Sequence, residues 1–488
     1  MSAGETTAPE AGAAGTVQAP VAESVFQDPA RARRVVAVLS LSGVLVSLQQ
    51  TLVVPILPDF AVALNVSSAT ASWMVTATLL TSAVATPLIG RLADLFGKRS
   101  MMLVCLAVMV LGSAVAALGQ VFPVVVAGRV MQGFAMALLP VGISLMRDVL
   151  PRERLGGAVA LMSATLGIGG MIGMPLAGVI YEHLGWEALF WVSGAGGLLL
   201  AALLLAVVPE SAVRSQGRFD FAGALLLTVA LTGLLLAVSK GGEWGWTGVS
   251  TLTCAAVGLA ASAAWIPLEL RIREPLVDLR TTVLRPVLVS NICAVLLGFA
   301  MFLSAYTATQ ELQAPVESGY GPGLSETQAG LAMLPGGLLM VLLAPLSARM
   351  SRRHGAQATL MVGAVAIAVG YAVRAVLGSA VLNVTVSAAI ISGGVALALA
   401  AMPVLITEAA PADQTASANG VNSLLRSVGT STASAVGAAV LATSTVTAAG
   451  VTVPTIGAFN LLYWLGAVVS LAAVAVTLCV PARARVRS

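Results

Sequence analysis

The sequence predicts an all-α integral membrane protein with fourteen transmembrane helices, forming two pseudo-symmetric six-helix bundles plus two inserted linker helices. Three observations carry this expectation: the composition, the succession of apolar runs, and the placement of positive charge. Of the 488 residues, 58% are hydrophobic and 9% are charged, with a mean hydropathy of +0.96. Soluble domains carry about 25% charged residues. So few charges could not solvate a fold of this size. A soluble enzyme, a nucleic-acid binder and a disordered scaffold are therefore excluded. A helix crosses the hydrocarbon with about 20 apolar residues, which leaves little chain for loops.

The elements follow in order. Residues 1–34 are rich in Ala, Gly and Thr and carry Glu5, Glu10, Glu23 and Asp28, with no apolar stretch that would mark a cleavable signal peptide. A disordered cytoplasmic tail is expected there. Apolar runs at 35–58, 71–90, 101–119, 121–146, 157–181 and 186–208 build an N-terminal six-helix bundle over 35–208. Runs at 221–239 and 248–268 are the two inserted spans of a linker over 209–286. Runs at 287–310, 327–347, 357–378, 380–406, 416–445 and 457–480 build the C-terminal bundle over 287–480, and 481–488 is a basic cytoplasmic tail. Short polar punctuation bounds each run. The run 416–445 exceeds one crossing, so its first turns are expected in water.

Positive charge checks the count, because short cytoplasmic loops carry the Lys/Arg excess. Fourteen crossings put both termini on one side. That side then holds 21 of the 25 Lys and Arg residues, against Lys240 alone on the other. Arg129, Arg374 and Arg426 fall inside runs. A missed span would invert every later loop and destroy the asymmetry. A multi-pass protein of the plasma (cytoplasmic) membrane with both termini cytoplasmic is expected. A faint duplication supports the two halves: the turn Ala93–Lys98 follows the second run and Ala348–Arg353 follows the tenth, each after a proline-containing helix.

Four short patterns carry candidate chemistry. Gly90-Arg91-Leu92-Ala93-Asp94-Leu95-Phe96-Gly97-Lys98-Arg99 packs two glycines, an acid and a basic pair into one turn. The glycines permit a tight reversal and close helix approach. Asp94 is suited to neutralise the positive N-terminus of a neighbouring helix and so to latch one conformation. In the fourth run, Arg129 lies roughly 12 Å along the helix from Val121. A charge that deep needs a wet cavity or a partner, and Gln132 and Gly133 share its face. The fifth run carries Gly169, Gly173, Pro175 and Gly178, whose small residues suit close helix packing. In the thirteenth run, Asn419, Asn422 and Arg426 form a polar stripe on one face, either lining the protein interior or sitting beside Asp94.

These segments carry a family resemblance. Gly90–Arg99 resembles the cytoplasmic loop signature of the major facilitator superfamily, and Arg129-Val130-Met131-Gln132-Gly133 resembles its span-4 Arg motif, which implies a part in proton coupling. The glycine-dense fifth run resembles the antiporter signature G-x-x-x-G-P-x-x-G-G, with the proline one place late. Trp73–Ala77, Gly217–Asp220, Gly241–Trp246 and Ala329–Leu331 with Leu334-Pro335 extend the likeness over nearly the whole chain. Together they are similar to the fourteen-span drug:proton antiporters. One departure stands out. The family's first span reads L-D-x-T-I-V-N-V-A-L-P, whereas here Gln49 stands for the acid and Val54 for the asparagine. Gln does not titrate, so Gln49 and Gln50 are expected to hydrogen-bond substrate or a neighbouring helix. The outer-half acids are Asp59, Glu182 and Glu311; Glu311, between Gln310 and Gln313, is the candidate replacement, with an outer loop as the alternative. Arg374 is expected to snorkel at the outer surface.

The resemblance implies a secondary active transporter that exports hydrophobic or amphipathic drug- or antibiotic-like small molecules in exchange for protons by alternating access. The alternative is an uptake symporter on the same fold. No enzyme is expected, since the sequence has no Ser-His-Asp set and no paired intramembrane carboxylates. No cofactor and no metal are expected: Cys105, Cys254, Cys293, Cys479, His183 and His354 are all isolated. Expected partners are the substrate, the proton and the lipid bilayer, with no nucleic acid, and the protein is expected to be a monomer. Arg129, Gln132, Gln49, Gln50 and Glu311 are the candidates for proton coupling or the cavity. The candidates for the gate are Gly90, Asp94, Gly97, Lys98, Arg99 and Arg426.

Overall fold

The computed structural model describes residues 29–479, apart from 54, 55, 57–59, 61, 62, 216, 273, 274, 449 and 450. Asp59 and the two tails beyond 29 and 479 thus lie outside the described residues. The first helix begins at Pro29, inside the stretch expected to be a tail, and its first turns carry Arg31, Arg33 and Arg34.

The long helices are α1 (Pro29–Thr51), α2 (Trp73–Phe96), α3 (Lys98–Leu118), α4 (Phe122–Val149), α5 (Arg152–Leu184) and α6 (Glu187–Val207). Then come α7 (Phe221–Trp244), α8 (Val249–Arg271), α9 (Arg285–Gln313), α10 (Glu326–His354) and α11 (Ala356–Leu377), followed by α12 (Val381–Ala409), α13 (Thr415–Thr443) and α14 (Ile456–Leu478). Among the described residues, 13 of these are long and apolar enough to cross a membrane. The remaining one, α5, runs for 33 residues. In α4 a 3₁₀ turn at Gly133–Ala137 interrupts the α-helical ladder. A hairpin that hydrophobic runs do not reveal, β1 (Thr445–Ala448) with β2 (Val451–Pro454), joins α13 to α14.

Wide apolar faces point outward, with Leu198 61% and Leu199 64% exposed on α6 and Val468 60% on α14. In water such faces would drive aggregation; in hydrocarbon they are the solvated surface. Helices meet each other through small residues instead, because lipid gives no hydrophobic drive for association. α1 lies on α5, and α3 on α4 and α6. The pattern recurs as α9 on α13, and α11 on α12 and α14. Across the two sets, α2 packs on α13 and α5 on α10, while α7 and α8 pair with each other and α7 touches α2 and α13.

Glycines set the closest of these approaches. A Cβ on Gly169 would stand 2.6 Å from Val44 O and 2.7 Å from Ser47 Cβ of α1, and one on Gly173 would collide with Thr51. Gly178 differs from the sequence reading: no described atom lies within 4 Å of the position its Cβ would take. Pro175 is within α5, and its side chain is outside the described set. Gly169→Val is therefore expected to push α1 off α5 and cost about 1–3 kcal/mol, the usual range for overpacking. A lower melting temperature in detergent with normal membrane insertion checks this; Gly178→Val should leave melting unchanged.

The direct bonds between the first six and last six long helices gather at the arginine-rich end. Arg147 of α4 donates to Ala410 O and Pro411 O after α12, and Ser163 of α5 donates to Leu399 O of α12. Ala160 and Ala164 of α5 share a small-residue cluster with Ala344 and Ala348 of α10 and Ala400 of α12. At that end α2 and α13 also meet.

Candidate functional site

The turn between α2 and α3 reverses at Gly97, whose φ of +111° is a left-handed conformation that favours glycine. It brings Asp94 to the start of α13. Asp94 Oδ2 accepts from Ser417 N at 2.9 Å and Oδ1 from Ala416 N at 3.3 Å. These amides are in the first turn of α13, where four N–H groups lack intrahelical partners. A carboxylate on α2 thus caps a helix of the other set, using both orphan donors and the helix dipole. Gly90 makes the approach possible, since its Cβ would lie 2.9 Å from Ala416 O.

The basic pair divides its work. Lys98 is fully buried and binds Asp148 Oδ2 at the end of α4 at 2.5 Å, with Asp94 Oδ1 at 3.9 Å. Arg99 turns away from α13: its guanidinium donates to Leu205 O of α6 at 2.7 Å. Glu210, after α6, caps α3 by accepting from Arg99 N and Ser100 N, both at 3.0 Å. Asp148 and Glu210 were missed in the sequence: Asp148, in the last turn of α4, pairs with Lys98 and accepts from the Ser211 hydroxyl, and Glu210 caps α3. The segment after Glu210 closes the turn, with Ser215 N donating to Asp94 O at 2.7 Å and Arg91 donating to Ser215 Oγ at 3.0 Å.

A second centre lies deep in the first six helices. Arg129 is 1% exposed. Its Nε donates to Met74 O of α2 at 3.0 Å and its Nη1 to Gln132 Oε1 at 2.7 Å. Gln132 donates in turn to Ser113 Oγ of α3 at 2.8 Å, and Gln49 of α1 donates to Gln132 O at 3.0 Å. Gln50 reaches Met136 Sδ. Four helices are thereby tied to one guanidinium, whose ion pairs, among the described residues, include no carboxylate. Gln49 Oε1 is buried without a hydrogen-bond partner among the described residues.

Arg426 is corrected. It does not join Asp94 but lies further along α13, donating to Ser423 Oγ at 3.0 Å. With Asn419 and Asn422 it lines a cavity of about 50 Å³ walled by α4, α5, α12 and α13. Asn422 also donates to Ser290 O and Asn291 Oδ1 of α9. The polar stripe faces protein, not water at the latch.

Glu311 and Arg374 depart most from the sequence reading. Arg374 does not snorkel, and Glu311 is not in a loop but in the last turn of α9. Both are 1% exposed, and Glu311 Oε2 accepts from Arg374 Nη2 at 2.6 Å and from the Tyr463 hydroxyl at 2.5 Å. The guanidinium also lies 4.7 Å from the centre of the Tyr463 ring. This buried triad joins α9, α11 and α14 and is apart from Arg129 in sequence and in its contacts.

A body of long apolar helices with outward apolar faces, and with a few charged groups buried between its helices, is that of a multi-pass membrane protein. The chain belongs to the Major Facilitator Superfamily, whose model matches residues 39–434. Members of this family are transporters and generally not enzymes. The chain is 30% identical over 394 residues to the multidrug resistance protein Stp of Mycobacterium tuberculosis, covering 79% of this chain and 71% of that one. It is 30% identical over 327 residues to a tetracenomycin C resistance and export protein of Streptomyces glaucescens, covering 67% of this chain and 60% of that one. Its fold matches the human organic anion transporter MFSD10 with a TM-score of 0.66 at 18% identity, over 92% of this chain and all of that one. This likeness concerns the fold alone.

Proposed function

We propose that the protein exports hydrophobic or amphipathic drug- or antibiotic-like small molecules across the plasma membrane in exchange for protons, by alternating access. All fourteen long helices cross the bilayer, α1–α6 and α9–α14 are the two halves, α7–α8 is the insertion, and both termini are cytoplasmic. The protein works as a monomer in lipid. The carrying observation is that the direct hydrogen bonds between the halves gather at one end, with Asp94 capping α13 where the arginines cluster. Two halves held at one end are a two-state device, since rocking them breaks those contacts and exposes the cavity to the other side. The drug-like cargo is supported by relatives named for drug resistance and export.

Exchange needs an acid that takes up and gives back a proton. Glu311 is that acid in this reading, because Gln49 cannot titrate. Protonating it would release Arg374. Glu311→Gln is expected to abolish uphill efflux while downhill exchange persists, read in vesicles with and without a proton gradient. Proton-driven efflux at the wild-type rate would reduce the triad to a structural clasp. The export function itself is tested by expression in an efflux-deficient bacterial host. A raised tolerance to at least one class of hydrophobic antibiotic is expected, and no change across a broad panel would overturn the reading.

A further inference from the structure

The feet of α7 and α8 bring two carboxyl groups together at the arginine-rich end. Asp220 caps α7, its Oδ1 accepting from Gly223 N at 3.0 Å. Glu269, in the last turn of α8 and 3% exposed, accepts from Val277 N at 2.5 Å through Oε1. The other oxygen of each, Asp220 Oδ2 and Glu269 Oε2, is buried with no hydrogen-bond partner among the described residues. Both crowd the same spot on Gly223, where a Cβ would clash with each of them. The absence of a side chain at Gly223 is what lets the two oxygens converge.

A buried carboxylate oxygen without a donor is costly, and two that face one another repel unless something positive lies between them. Glu269 also opens on a polar cavity of about 150 Å³. The charged groups around it are Arg91 from α2, Asp278 and Arg280 from the segment after α8, and Asp413 before α13. Arg91 is 5% exposed and its Nε has no partner. None of these forms an ion pair with Asp220 or Glu269 among the described residues; Arg273 and Glu274 lie outside that set. The site therefore has two orphan acceptors and room beside them; Arg91 acts on Glu269 through space, but no described side chain pairs with either orphan oxygen.

We propose that Asp220 and Glu269 form a cation-binding site, with a proton or a sodium ion held between Asp220 Oδ2 and Glu269 Oε2. The cavity beside it is walled by the gate. Arg91 precedes Asp94 on α2, and Ser417, which donates its amide to Asp94, donates its hydroxyl to Leu276 O in the segment after α8 at 3.2 Å. Thr281 in the same segment donates to Gln414 before α13 at 3.0 Å. Opening this end must therefore disturb the walls of the cation site, so its occupancy and the gate are coupled. This coupling rests on the alternating-access reading; the binding itself does not.

The test uses the purified full chain in lipid nanodiscs, as wild type, Glu269→Gln, Asp220→Asn and the exposed control Glu317→Gln. Asn retains a capping oxygen for α7, so the second variant serves where the first fails to fold. If a proton fills the site, infrared spectra at neutral pH without sodium will contain a protonated-carboxyl carbonyl band. That band is lost in Glu269→Gln, shifted in Asp220→Asn and unchanged in Glu317→Gln. If sodium fills it, that band is absent, and sodium chloride but not choline chloride raises the melting temperature, an effect lost in both site variants. Neither signal in wild type, or a signal indifferent to both variants, overturns the proposal. Both readouts are independent of drug transport, so the exporter reading stands or falls separately.

Discussion

Asp94→Asn is expected to reduce transport at least tenfold while membrane insertion and substrate binding stay near wild type. Asn keeps the size and one acceptor oxygen, so the turn still folds. It loses the charge that satisfies two amides of α13 and opposes Lys98. An anion at a helix N-terminus contributes about 0.3–1 kcal/mol at exposed sites and up to about 2 where partly buried. Each 1.4 kcal/mol is tenfold in an equilibrium. The closed arginine-rich end would lose that much of its advantage, and a transporter that cannot hold one end shut leaks its gradient. Cysteine accessibility at the α2–α13 contact should rise together with the loss of efflux. Wild-type efflux by Asp94→Asn would remove the latch from the account.

Arg129→Ala should abolish efflux altogether. The variant leaves Gln132 Oε1 buried without its donor, at a cost of about 1–3 kcal/mol, and removes the guanidinium's bond to Met74 O. α2 is then held to α4 here by the Thr78 hydroxyl, which donates to Met74 O and to the backbone carbonyl of residue 129. Arg129→Lys separates the two contributions. It keeps a positive charge in the same place but has no planar fork to reach both acceptors. Severe impairment rather than rescue is expected, with melting closer to wild type than in the alanine variant. Full activity in the lysine variant would make the site a bare charge; efflux by Arg129→Ala within twofold of wild type would make it dispensable.

How legible these features were depends on whether a signal is local. The apolar runs and the glycine-acid-basic turn from Gly90 to Arg99 are written within a few residues, and the arginine asymmetry needs only the order of the runs. The depth of Arg129 and its face with Gln132 follow from helical spacing. What pairs with what across helices does not. Glu311, Arg374 and Tyr463 come from three helices far apart in sequence, and each alone resembles an interfacial residue; only their packing makes a buried triad. Asp148 and Glu210 read as ordinary loop acids until Lys98 and the start of α3 are set against them. Gly178 shares a sequence pattern with Gly169 and Gly173 yet meets no described atom of α1, because spacing along one helix does not say where the neighbouring helix runs. The hairpin at Thr445–Pro454 is too short and too small-residued to stand out from the run before it.

The central claim is that proton flow drives substrate outward through a gate closed by Asp94. The most direct measurement places purified protein in sealed vesicles, with a confirmed substrate at equal concentration inside and out, and acidifies the outside. Net exit of substrate is predicted. It should be abolished by a protonophore and absent in Arg129→Ala and Asp94→Asn. Net entry of substrate with the protons, exit driven by sodium alone, or no net movement under the proton gradient would contradict the account.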